Sequence, residues 1–149
     1  MNPFDIKSAL LAKHAQHVVL IHFPIALFII GVVFDFIAQW KREGTLAAAA
    51  YYNLLAAAVS TAPVVVTGIL AWRLQLEGAK LEGNLLLHFI LGIVSSVLIW
   101  LVWWVHYQAR RRPGHALKLY RLPLELVAML FVALTGHLGG FLSGVNGPG

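Results

Sequence analysis

The chain has 149 residues, 60% of them hydrophobic and 11% charged, with a mean hydropathy of +0.79. Soluble domains run nearer ~45–50% apolar and ~25% charged, so an ordinary soluble enzyme is excluded and a one-domain integral membrane protein is indicated. Cysteine is absent, which rules out disulfides, thiolate metal sites, iron–sulfur clusters and thioether-linked haem and leaves histidine, carboxylate or backbone to hold any cofactor.

In chain order, residues 2–14 read as a short N-terminal interfacial helix. Asn2 is the N-cap, Pro3 occupies the first helical position, and Phe4, Leu10 and Leu11 face the membrane surface. Four apolar stretches follow, at about residues 17–40, 46–74, 84–107 and 120–142. Each meets the ~20 residues needed to cross a bilayer. The first is a poor signal peptide: it is too long, carries Asp35 and lacks a small-residue cleavage site. The connections between spans are short and polar, which forces neighbouring spans to be antiparallel. The expected fold is an all-α, up-down-up-down four-helix membrane bundle in a single domain, residues 1–149.

The basic residues sit beside the spans, so the net charge of +5 reads as topology and contact with membrane lipid rather than nucleic-acid binding. The first and third connections, with the start of the fourth span, hold Lys41, Arg42, Arg110, Arg111, Arg112, Lys118 and Arg121. The N-terminus and second connection hold Lys7, Lys13, Arg73 and Lys80. The positive-inside rule puts the first set in the cytoplasm and both termini outside. Trp40, Trp103, Trp104 and Tyr107 then belong to the inner aromatic belt.

This topology brings His22, His88 and His137 to one depth near the outer face, on three different spans. His22 lies about five residues inside its span, ~8 Å at the helical rise, and His17 lies one and a half turns nearer the surface. Imidazole in hydrocarbon is costly and tends to persist with a ligand or a partner. Gly92 lies one turn from His88, and Gly136, Gly139 and Gly140 surround His137; glycine lets a flat macrocycle approach the backbone. The competing reading for the glycines is close helix packing, and for single histidines, including His14, His106 and His115, an interfacial hydrogen bond. A second polar set, Asp35 and Glu125 with His106, Tyr51, Tyr52 and Asn53, lies toward the cytoplasm. It reads either as a proton path or quinone-facing pocket, or as structure, with Arg121 pairing with Glu125 one turn along the helix and Asp35 bonding across the bundle.

The run His17-Val18-Val19-Leu20-Ile21-His22-Phe23-Pro24-Ile25-Ala26-Leu27 resembles the opening motif of bacterial membrane proteins catalogued as domain of unknown function 2231. His88 with Gly92 is similar to that family's histidine near the start of the third span. Thr135-Gly136-His137-Leu138-Gly139-Gly140-Phe141-Leu142 looks like its closing glycine-rich motif. The tail Ser143 to Gly149 departs from relatives that place a further His or Tyr there. Related domains occur joined to cytochrome c-like modules, so the resemblance implies redox work by association, in a bacterial inner membrane.

Two functions compete. The first is electron transfer by a b-type haem near the periplasmic face, as a small membrane cytochrome or a subunit of a redox complex. His22 and His88 are the expected axial pair, with His137 at the haem edge and His17 as a proton relay at the rim. Arg73 and Lys80 would meet the propionates, and a periplasmic cytochrome c would be the partner. Bis-imidazole ligation leaves no open coordination position, so the chain reads as an electron carrier rather than a stand-alone enzyme. The second is a copper or zinc site built from His22, His88 and His137. A cofactor-free accessory subunit stands behind both. No catalytic nucleophile–base pair, phosphate loop or nucleotide fingerprint is present.

Overall fold

The structure, a computed structural model, describes residues 15–111 and 120–143. The expected interfacial helix at residues 2–14, His14, His115 and the tail from Gly144 onward lie outside the described residues. Four α-helices account for the described chain: α1 (Ala15–Lys41), α2 (Gly44–Gln75), α3 (Gly83–Arg110) and α4 (Arg121–Leu142), with no strand among the described residues. All four are long and apolar enough to cross a membrane. Their ends fall within three residues of the spans read from hydropathy.

Helices form here because hydrocarbon offers no partner for a free peptide group, and an α-helix satisfies nearly all of its own. The side-chain hydroxyls follow the same rule. Thr61 donates to Ala58 O, Ser96 to Gly92 O and Thr135 to Phe131 O, each at 2.7–2.8 Å. The link between α1 and α2 is only Arg42 and Glu43. Arg42 takes a left-handed φ of 55°, and the Glu43 amide donates back to Ala38 O at 3.0 Å. That backbone bond closes the last turn of α1 and reverses the chain.

Neighbours around the bundle follow chain order and α4 returns to α1, so α1 and α3 face each other across a diagonal. The α1–α2 contact is the most extensive. It is close because Gly31 lies against Leu54, while Ala57 and Ala58 present small side chains to the interior. The core is Phe28 and Val32 of α1, Leu54, Ala57 and Ala58 of α2, Ile99 and Val102 of α3, and Ala128 and Val132 of α4.

The two ends of the bundle differ. At the end carrying Asp35, His106, Arg121 and Glu125, here termed the charged end, full burial continues to Ala38, Ala50, Ala109 and Arg121. At the other, histidine end, the outermost buried residues are Pro24, Thr61, Ser95 and Val132, and beyond them the described side chains are half-buried or exposed, His17, His22, His88 and His137 among them. Cations crown the charged end: the Arg110 guanidinium lies 4.3 Å from the centroid of the Tyr51 ring and Arg111 lies 4.7 Å from that of Tyr107.

Candidate functional site

Which way each histidine faces follows from helix register. On α1 the buried positions are Pro24, Phe28, Gly31, Val32, Asp35 and Ala38. His17 lies seven residues before Pro24, two turns away on the same stripe, whereas His22 is two residues before it, about 200° around the helix. On α3, Ser95, Ile99, Val102, His106 and Ala109 are buried, and His88 continues that stripe two turns on. On α4 the buried stripe of Arg121, Glu125, Ala128 and Val132 runs on to Thr135 and Gly139, and His137 falls between these two on the back. His17 and His88 are accordingly half-buried, and His22 and His137 are exposed.

Each inward imidazole rests on a glycine of the next helix. A Cβ at Gly68 would stand 3.0 Å from His17 Cε1, and one at Gly139 would stand 3.1 Å from His88 Cε1. His88 Nδ1 faces the Thr135 carbonyl at 3.2 Å, and a carbonyl only accepts, so Nδ1 carries the hydrogen. His17 Nδ1 lies 3.2 Å from Thr67 Oγ1. The Thr67 hydroxyl hydrogen is already directed to the carbonyls of Pro63 and Val64, so His17 Nδ1 is the donor there as well. His22 Nδ1 donates to Val18 O of its own helix at 2.7 Å, and His137 packs edge-on against Phe141. Among the other expected residues, Gly92 sits opposite the Thr135 methyl and Gly136 opposite Ile25. Arg73 lies 5.9 Å from the centroid of the Trp72 ring, and Lys80 pairs with Glu82 in the α2–α3 connection.

The charged end holds the densest chemistry. Arg121 Nε donates to Asp35 Oδ2 at 2.9 Å, with both side chains at most 3% exposed. A hydrogen bond of 2.8 Å joins His106 Nε2 to Glu125 Oε1, at 4% and 1% exposure. Gln39 Nε2 also donates to Asp35 Oδ2, at 3.2 Å. Arg121 does not pair with Glu125 one turn along its own helix; it reaches across to α1, and Glu125 bonds to His106 of α3. Asp35, His106 and Glu125 each offer a ligand atom within 4.8 Å of the others, the one such metal-competent group among the described residues. His22, His88 and His137 do not form such a group. His106, which the sequence places both among the interfacial histidines and in the polar set with Asp35 and Glu125, is a buried member of that set. The signal that pointed to it was the pair of intramembrane acids, which need partners at their own depth.

The profile of a family described as "Predicted membrane protein (DUF2231)" matches residues 13–147. No curated protein and no solved structure matches the chain.

Proposed function

The chain belongs to this family of predicted membrane proteins, and we propose that it carries electrons across part of a bacterial inner membrane through one b-type haem at the histidine end. The observation that carries this reading is the shared state of His17 and His88. Both lie on the inward stripes of diagonal helices, within the first two turns of α1 and α3. Both give Nδ1–H to an oxygen acceptor, which puts the imidazole lone pair on Nε2. Ligating imidazoles are ordinarily held in this way, with the second nitrogen fixing tautomer and ring orientation. Packing is looser at the histidine end than at the charged end, and Gly68 and Gly139 place bare backbone beside the two rings.

Register therefore moves the preferred α1 ligand from His22 to His17. A copper or zinc centre built from His22, His88 and His137 would require two of the three to turn in from the outer faces of their helices, so haem is the reading adopted. Bound haem supplies reversible one-electron chemistry, and two imidazoles leave it no position for substrate. The protein side of the work is ligation, orientation and exclusion of water. With both termini periplasmic, as the distribution of basic residues favours, the histidine end faces a periplasmic cytochrome c or a companion subunit.

The test is a pyridine haemochrome assay and a reduced-minus-oxidised spectrum of the purified chain. His17→Ala and His88→Ala are each expected to abolish the b-type bands, with His22→Ala and His137→Ala retaining them. Bands that survive both inward substitutions, or stoichiometric copper or zinc without haem, would refute the assignment.

A further inference from the structure

We infer a second, independent site at the charged end: a divalent cation site formed by Asp35, His106 and Glu125. Its ligands come from three helices, α1, α3 and α4, and are completely enclosed. Two carboxylates and an imidazole form a hard-to-borderline donor set suited to Zn²⁺, Mn²⁺ or Fe²⁺.

Charge drives the argument. Asp35 and Glu125 carry two negative charges and Arg121 one positive, so with neutral His106 one negative charge remains in a low-dielectric interior. Something cationic must fill that deficit. α2 has no other charge to offer, since its one charged residue, Arg73, lies at the opposite end.

A second observation points to a ligand. Glu125 Oε2 is buried without any hydrogen-bond partner, although Glu125 is only 1% exposed. A bare carboxylate oxygen enclosed in this way is costly, and coordination satisfies it. Ligand bonds of about 2.0–2.2 Å set neighbouring donor atoms roughly 3.5 Å apart, so separations of up to 4.8 Å close by up to about 1.3 Å on binding. Arg121 would stay on Asp35 as the outer partner that orients a ligating carboxylate. Both partners of the His106–Glu125 hydrogen bond turn their lone pairs to the ion. A groove of about 570 Å³ between α1 and α4, lined by Phe36, Gln39, Trp40 and Leu122, lies beside the cluster. Gln39 lines this groove and also donates to Asp35, linking the opening to the cluster.

The experiment titrates the whole, chelator-stripped chain in lipid nanodiscs with Zn²⁺ alone, then Mn²⁺ alone, by calorimetry. The expected result is uptake of one ion per chain. Glu125→Gln and His106→Gln should each weaken binding by tenfold or more, and His137→Ala should leave it intact. The stoichiometry is read on the unaltered protein, so it stands even if a variant fails to fold. Absence of stoichiometric uptake, or equal binding by Glu125→Gln, would overturn the site. Haem spectra at the other end test a separate claim and are expected to be unaffected by the titration.

Discussion

Replacing Arg121 by alanine would leave Asp35, 1% exposed, with the amide of Gln39 as its one side-chain donor among the described residues. Removing one partner of a buried ion pair costs about 3–5 kcal/mol, mostly as the penalty on the charge left behind. Arg121→Ala should therefore lower the thermal unfolding midpoint strongly, and Asp35→Asn in the same chain should recover part of the loss. Lys80→Ala, which breaks a pair 85% and 62% exposed, should stay within about 1 kcal/mol; a comparable loss from both variants would disprove the difference. That Asp35 and Glu125 needed partners was legible from their position in apolar helices. Which partners they took was not, because neighbour rules along one helix favour Arg121 with Glu125 and say nothing about a carboxylate arriving from α1.

Helix contacts predict a graded response among the glycines. A methyl at Gly31 meets Leu54 side-chain atoms at 3.0 Å and its backbone nitrogen at 3.3 Å, and Leu54 is fully buried. Gly31→Ala should destabilise by about 1–3 kcal/mol through overpacking, whereas Gly44→Ala, which meets nothing within 4 Å, should be close to neutral in the same unfolding assay. Gly139→Ala presses on the His88 ring and should alter haem content or band position more than stability. Element number and length were readable from hydropathy because lipid imposes a length and a minimum apolarity on each span. The facing of His17 against His22 was not read, for a physical reason: lipid tails are as apolar as a protein core, so membrane helices lack the polar face that marks the outside in water. Depth alone made His22 the expected ligand, and only the buried stripe through Pro24, Phe28 and Asp35 shows that it lies on the back of α1.

For the whole molecule, the division of lysine and arginine between the two ends predicts orientation. Reporter fusions at Gly44 or Gly114 should read as cytoplasmic and one after Gly149 as periplasmic; the reverse pattern would place the histidine end at the cytoplasm and exclude cytochrome c as its partner. The two ends also differ in firmness. The charged end is closed by a core and two buried polar pairs, and the histidine end is open, so amide exchange should be slowest near Asp35, His106 and Glu125 and fastest in the histidine-end turns. The Asp35–Arg121 pair further constrains how the molecule is made. Its two members lie on the first and last helices, so during synthesis α1 emerges with a carboxylate whose counter-ion is still some 86 residues away along the chain. A lone aspartate within a span opposes insertion by up to about 2.5–3.5 kcal/mol at the helix centre. The first span should accordingly wait beside the insertion machinery, or hold Asp35 protonated, until α4 arrives and closes the ring. A chain truncated after α3 should be cleared quickly by membrane proteases, and Asp35→Asn in that truncated chain should prolong its half-life.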